Sequence, residues 1–284
     1  MIKKIFLFSV LFHAFFSCTD KTEIPIPAYL YIPSISFTTT SVQGSSSHAF
    51  RDVWIYVNDT FAGAYELPIK VPVAQFGNAE IKVYADIRKD GVLSQPTRYP
   101  LTAPYIVKSN LKAGQIDTIY PVVSYYSDCI FTFLENFDQG HFFSNDIDGN
   151  PQTQITLSSR NDAFEGANSG EILLTKDNPV MIATYALSKS IPISPNKVYI
   201  ELNYQCDVSF SIGFEGMKSN EVVNLINATI KPKSSWNKIY FDFTDSINQS
   251  ACDNYRIAVL AVYDTTNTAA KQYIRIDNFK VIHQ

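Results

Sequence analysis

Beyond the first residues the chain has three histidines: His48, His141 and His283. None stands at a metal-ligand spacing from another His or from a Cys, and neither HExxH nor CxxC occurs. The GxSxG elbow, the Walker-type phosphate loop and the GxGxxG turn are missing too. His48 follows the loop-like run Gly44-Ser-Ser-Ser47, and His283, one residue from the end, reads as solvated. Carboxylates are the remaining route to catalysis. Asn145-Asp-Ile-Asp-Gly-Asn150 has the look of a calcium loop. In the EF-hand frame, however, Ser144 falls at position 1 and Ile155 at position 12, where a bidentate Glu is required, so an Asp/Asn/Gly turn is the better reading. Glycoside hydrolysis needs two carboxylates roughly 5–10 Å apart, and linear spacing locates no such pair. Trp54 and Trp236 are the only tryptophans and the candidate ligand-facing aromatics, because an exposed indole can stack on the apolar face of a sugar ring. Each also has a plainer reading: Trp54 packed at a domain interface, Trp236 capping a core.

The elements that must position these residues are strands. Asp52 to Asn58 alternates, with Val53, Ile55 and Val57 on one face and Trp54 and Tyr56 on the other. Asn58-Asp59 supplies a turn, and Phe61 to Leu67 returns until Pro68. Glu80 to Ile87 repeats the pattern, with Ile81, Val83, Ala85 and Ile87 inward and Lys82, Tyr84 and Asp86 outward, before an Asp90-Gly91 turn. Thr118 to Tyr125 closes this region. Residues 28–126 therefore have the size and pattern of an immunoglobulin-like sandwich. Residues 127–284 carry further strand patterns, from Ile130–Leu134 to Tyr273–Ile282, and fit a jelly-roll sandwich. Tyr255–Tyr263, apolar on both faces over Ala258 to Val262, reads as a central strand. Ser219–Thr229 is the best candidate for a short helix and Asp245–Cys252 a weaker one. The expected fold class is all-β, two sandwiches in series, immunoglobulin-like then jelly roll. With no Pro/Gly/Ser-rich linker between them, they are expected to pack closely.

The N-terminus supplies an address. Lys3 and Lys4 precede an apolar run, Ile5 to Phe16, broken only by Ser9 and His13. This is the layout of a secretory signal peptide over residues 1–17. The run, about 12 residues, falls short of the ~20 needed to span a bilayer. The sequence Phe15-Phe16-Ser17-Cys18 resembles the lipobox of bacterial lipoproteins, with Phe15 where that family usually carries Leu. The resemblance implies cleavage before Cys18 and acylation of its thiol and new amino group. Residues 18–27, rich in proline at their end, read as the lipidated Cys and a stiff tether.

Two further resemblances concern the body of the chain. Asp52 to Pro68, with Val71-Pro72-Val73 and Ile87-Arg-Lys-Asp-Gly91, resembles the N-terminal half of Bacteroidota lipoproteins. Phe133-Leu-Glu-Asn-Phe-Asp138 and Tyr273-Ile-Arg-Ile-Asp-Asn-Phe-Lys-Val-Ile282 resemble the start and end of a galactose-binding-like jelly roll, the fold of many carbohydrate-binding modules. That resemblance implies adjacent first and last strands, which in many such modules hold a structural Ca²⁺; here Glu135, Asp138 and Asp277 are its candidate ligands. No other cofactor is expected. Asp117-Thr118-Ile119, Asp245-Ser246-Ile247 and Asp264-Thr265-Thr266 match the Asp-Ser/Thr-aliphatic pattern of O-glycosylation in exported Bacteroidota proteins.

Composition excludes some partners. The formal net charge is −4, and removal of the leader takes away two positive charges more, so nucleic acid is not an expected partner. Cys129, Cys206 and Cys252 form no metal pattern; a Cys206–Cys252 disulfide and buried free thiols are the two readings. The leading expectation is a non-catalytic cell-envelope lipoprotein, held in the outer membrane through lipid and facing the periplasm or the surface, that binds a glycan or an envelope protein. The alternatives are a structural subunit of an envelope assembly and a carboxylate-dependent hydrolase.

Overall fold

The computed structural model describes residues 26–94, 96–193 and 197–284. The expected leader and Cys18 lie outside the described residues. The first half contains β1 (Ala28–Ile32), β2 (Ser36–Thr38), β3 (Asp52–Val57), β4 (Thr60–Glu66), β5 (Ile69–Val73), β6 (Gly77–Arg88), β7 (Pro96–Arg98), β8 (Thr102–Ala103), β9 (Tyr105–Leu111), β10 (Ile116–Thr118) and β11 (Val122–Tyr125). One sheet runs β4-β3-β6-β7, with β9 also on β6. Two small sheets, β10-β1-β5 and β2-β11-β8, supply the other layer. β1 pairs with β10 and β2 with β11 in parallel, so the first and last strands of this half run side by side. The expected Thr118–Tyr125 strand is two strands split at Pro121, which lacks the N–H a continuous ladder needs. The alternation read from the sequence holds: Val53, Ile55, Val57, Ile81, Val83, Ala85 and Ile87 pack with Leu30, Ile32, Val71 and Val123 in one core.

The second half contains β12 (Ile130–Glu135), β13 (Asn145–Asp146), β14 (Thr156–Leu157), β15 (Gly170–Leu174), β16 (Val180–Thr184), β17 (Val198–Cys206), β18 (Phe210–Lys218), β19 (Glu221–Ile230), β20 (Lys233–Asp242), α1 (Thr244–Ser250), β21 (Asn254–Val262) and β22 (Gln272–His283). They form two antiparallel sheets, β14-β15-β22-β17-β20 with β12 also on β22, and β13-β16-β21-β18-β19. A second core fills the space between them, with Ile172, Ile200, Leu202, Ile274 and Val281 packed with Met181, Ile212, Phe214, Ile257 and Val259. The architecture is all-β and sandwich-like. β21 lies between β16 and β18, the central place its two-faced apolarity implies.

Two expectations fail, those for Ser219–Thr229 and His283, and of the two cysteine readings the free thiols hold. Ser219–Thr229 is not a helix: Ser219 and Asn220, at φ 50° and 68°, turn a hairpin into strand β19. The apolar spacing Val222-Val223, Leu225-Ile226 imitates a helical period because β19 carries a bulge. Phe214 faces Leu225 and Ile212 faces Ala228, so one extra residue on β19 shifts the inward phase. Gly213 sits against this bulge; a Cβ there would collide with the Leu225 carbonyl oxygen. Cys206 and Cys252 are free thiols, as is Cys129. His283 is 3% exposed, because β22 carries it between Ile130 of β12 and Val198 of β17.

The two cores meet across a polar seam. The side of β17, β20 and β22 turned from the second core carries Tyr199, Glu201, Asn203, Lys238, Tyr240, Lys280 and Ile282, all buried. Glu201 is 1% exposed. Its carboxylate accepts the hydroxyls of Tyr99 (2.5 Å) and Tyr125 (2.8 Å) from the first half and pairs with Lys238 at 3.2 Å. Lys280 donates to the Ser45 carbonyl at 2.6 Å, Asn203 to the Ser47 hydroxyl at 2.9 Å, and the Ala49 N–H to the Tyr240 hydroxyl at 2.9 Å. Burial alone would raise the Glu201 pKa, but Lys238, Lys280 and the two tyrosines hold it below the ordinary glutamate value. The Asp90-Gly91 turn adds backbone contact: the Asp90 N–H donates to the Tyr240 carbonyl at 2.8 Å, and the Asp242 N–H to the Asp90 carboxylate at 3.0 Å.

Removing one member of such a cluster leaves the opposite charges buried and uncompensated. Glu201→Ala is expected to cost about 3–5 kcal/mol. Urea unfolding monitored by far-UV dichroism measures it, and a loss below 1 kcal/mol would contradict this account of the seam.

Candidate ligand-binding face

The sheet β4-β3-β6 has a second side, turned from its core and left open to solvent. The strand period places Asp52, Trp54 and Tyr56 of β3 there, beside Lys82, Tyr84, Asp86 and Arg88 of β6. Phe61 of β4 joins them through a bulge. Ile55 faces Gly63 but Tyr56 faces Phe61, so Ala62 is an extra residue on β4. Were Ala62 instead paired with Tyr56 in regular register, Phe61 would sit opposite Val57, on the core side. The rings form a continuous band: Phe61 lies 5.3 Å from Trp54 and 5.2 Å from Tyr56, and Tyr56 lies 5.5 Å from Tyr84. The Arg98 guanidinium caps its end, 4.6 Å over the Tyr84 ring. Phe61 is 49% exposed and Ile106, across from Lys82 on β9, is 52% exposed. Trp54, Tyr56 and Tyr84 are half-buried.

Charged groups frame the rings. The Trp54 indole N–H donates to Asp86 at 2.8 Å, a charge-assisted bond that fixes the plane of the ring. Arg88 links Asp52 (2.6 Å) and Asp86 (3.4 Å) beneath it. Lys82 is held between Asp59 (2.5 Å) and Glu80 (3.3 Å). Burial raises Asp86 to about 6 against the pull of Trp54 and Arg88, with Asp52 adding to the rise. A band of aromatic rings, tilted to one another by 37° to 73° and edged by carboxylates, an ammonium and a guanidinium, can pack on C–H surface and hydrogen-bond to hydroxyls at its margins.

The other predicted site residues do not gather here. Trp236, half-buried on β20, packs on Phe164 with ring centroids 5.4 Å apart. Trp54 stacks and bonds within the first half, so it is not an interface residue. The calcium candidates are spent on the chain itself. Glu135 accepts the Phe137 and Phe142 N–H groups (3.1 and 2.9 Å), and Asp138 accepts the Ala167 N–H (2.6 Å). Asp277 accepts the Ser169 hydroxyl (2.6 Å) and the Asn278 N–H (2.7 Å). β12 and β22 do pair, with Glu135 opposite Phe279, yet among the described residues no three His, Cys, Asp or Glu side chains gather as a metal site. The chain bends just after β13, where Asp146 and Asp148 accept the Gly149 and Asn150 N–H groups. The cleft beside it, lined by His141, Asp146, Asp148 and Gln154, holds about 110 Å³, less than the ~300 Å³ at which small-molecule pockets begin. Of the three Asp-Ser/Thr motifs, Thr118 and Thr265 are exposed while Ser246 lies half-buried on α1, bonded to Asn227.

Sequence reasoning placed Tyr56 on the face of Trp54 and Tyr84 outward on its own strand, but did not join Tyr84 to the other two. The β3–β6 pairing was the usable signal. Phe61 was hidden by the bulge, and Arg98 by the short strand β7 that sets it opposite Asp86.

Protonating Asp86 weakens its bond to the indole, so Trp54 emission in a Trp236→Phe background should titrate with a midpoint near 6, where burial puts this carboxyl. The folded state holds that proton at pH values where an unfolded Asp, near 3.9, has already lost it. The stability contributed by Asp86 therefore grows as pH falls from about 6 toward 4 and is lost as pH rises through 6. A flat emission profile between pH 4 and 8 contradicts the assignment. No family model and no curated protein matches this chain. Among solved structures it is similar to the family 30 carbohydrate-binding module of the cellulosomal cellulase CEL9D-CEL44B of Clostridium thermocellum, at 11% identity over 54% of this chain and 96% of that one, TM-score 0.37. It is similar to the family 11 carbohydrate-binding module from the same organism, solved with a β-1,3-1,4-mixed-linked tetrasaccharide, at 14% identity over 54% and 95%, TM-score 0.35. Similarity to the enzymatically active domain of bacteriophage CBA120 tailspike protein 4 stands at 10% identity and TM-score 0.35, over 55% of this chain but only 19% of that one.

Proposed function

We propose that this chain is a non-catalytic, lipid-anchored protein of the cell envelope that binds a glycan on the open face of the β4-β3-β6 sheet. The observation that carries the binding reading is the band Phe61–Trp54–Tyr56–Tyr84. Its rings, Phe61 exposed and the other three half-buried, suit the C–H faces of pyranoses, and the charged margin suits their hydroxyls. An apolar cluster kept on the outside of a sheet whose other side already fills a core also needs an occupant more than it needs a structural reason. The address rests on the sequence: positive residues, a short apolar run and Phe15-Phe16-Ser17-Cys18. Lipidation at Cys18 would place the protein in the outer membrane, with the proline-bearing tether between lipid and β1.

One observation favours a second reading, a structural subunit of an envelope assembly. β19 is a long sheet edge beyond β18, with Val222 63% exposed. Such an edge can take a partner strand, although the bulge in β19 works against extended pairing.

Two experiments test the proposal. Cys18→Ser is expected to move the protein from the membrane fraction to the soluble fraction; retention after an alkaline wash would defeat the anchor. On a glycan array, the full chain in detergent is expected to bind a defined saccharide class, and Trp54→Ala to weaken that binding at least tenfold. A chain that binds no glycan but yields a stable protein partner on cross-linking in the native envelope would move the reading to the structural alternative.

A further inference from the structure

Arg98 closes one end of the aromatic band, and its charge is not answered there. The other cations beside the rings are held: Arg88 by Asp52 and Asp86, Lys82 by Asp59 and Glu80. Arg98 is exposed, and among the described residues no carboxylate is paired with it. The carboxylate opposite it in register, Asp86, is sunk below the surface and already taken by Trp54 and Arg88. What positions Arg98 is the Tyr84 ring, 4.6 Å from the guanidinium carbon. A guanidinium held against a ring keeps its N–H edge free, and that edge is a planar fork suited to a carboxylate.

A sugar ring packed on one ring of the band would carry its substituents outward at its rim. In a uronic acid one of those substituents is a carboxylate at C5, in reach of a cation set just beyond the stack. A densely charged polyanion does not fit: the chain is acidic overall, with formal net charge −4, and the acidic Asp59, Glu80 and Glu66 border the same face. We propose that the ligand of this face is an acidic saccharide of sparse charge, a uronic-acid-containing chain whose ring packs on Trp54 and Phe61 and whose carboxylate is taken by Arg98. The inference rests on the glycan reading of the face and names the class of glycan.

The test uses the full chain in detergent and isothermal titration calorimetry. The probes are galacturonate, mannuronate and glucuronate-containing hexasaccharides, each paired with its carboxyl-reduced, neutral counterpart. At least one acidic probe is expected to bind about tenfold more tightly than its reduced form. Arg98→Gln, a change at an exposed site, should erase that difference between acidic and reduced forms, and added salt should narrow it. Equal binding of acidic and reduced forms, with both lost in Phe61→Ala and Trp54→Ala, overturns the acid preference and leaves the face standing. Binding of neither form, or binding indifferent to Trp54 and Phe61, overturns the glycan reading itself and this inference with it. Phe61→Ala alters a half-exposed ring, so it remains informative if Trp54→Ala lowers the melting temperature.

Discussion

Glu201 holds its carboxylate between two hydrophobic cores, and the arrangement of the molecule follows from how that charge is satisfied. A buried carboxylate with no partners would cost several kcal/mol. Here two tyrosines reach it from one half and Lys238 from the other, with Lys280 close enough to hold its pKa down. The satisfaction is geometric: it requires Tyr99 and Tyr125 to stand at one position relative to β17. The Asp90 turn, bonded to the edge strand β20, and the Ser45–Ala49 segment, bonded to Lys280, Asn203 and Tyr240, enforce the same placement. Buried tyrosines raised well above their ordinary pKa by burial and by the Glu201 charge stay protonated, so they remain donors across the physiological range.

The seam also explains why sequence patterning reads this region well in one respect and poorly in another. In β17, Val198, Ile200 and Leu202 face the second core as alternation implies, and Glu201 and Asn203 fall on the opposite side. Alternation cannot say that this opposite side is covered, because covering it takes residues more than a hundred positions away. His283 fails for the same reason: proximity to the terminus reads as solvation until β12 and β17 flank it. Where the period is undisturbed, as in β3 and β6, inward residues are legible one by one. Where a bulge adds a residue, as in β19, the phase slips and the run looks helical. The candidate face was half legible. Trp54 could be named from its type and phase, but its neighbours required strand pairing, and Arg98 required a three-residue strand with no hydrophobic signature. The acidic triad Glu135, Asp138 and Asp277 shows the converse. Carboxylates near paired strand ends suggest a cation, while backbone N–H groups for Glu135 and Asp138, and the Ser169 hydroxyl for Asp277, are the partners they meet.

The division of labour between the faces of the sheets is then clear. One open side of the second sandwich is consumed by the seam, under the first half. The first half keeps its own broad side outward, and that side carries the aromatic band. The charged network under the band, Arg88 between Asp52 and Asp86, gives the rings a rigid floor rather than a second binding pocket.

Ala62 has a consequence out of proportion to its size. It contributes no ring, charge or hydrogen-bonding side chain to the band, yet it is the unpaired residue at which β4 changes phase, between Gly63 opposite Ile55 and Phe61 opposite Tyr56. The property is one of register, not of residue chemistry. Loss of its codon would leave both pairs in a regular ladder and Phe61 still outward, whereas straightening the bulge by pairing Ala62 with Tyr56 would turn Phe61 inward with every aromatic residue still encoded. Recognition on such a surface therefore depends on strand register as well as on residue identity, which comparison of substitutions alone would not detect.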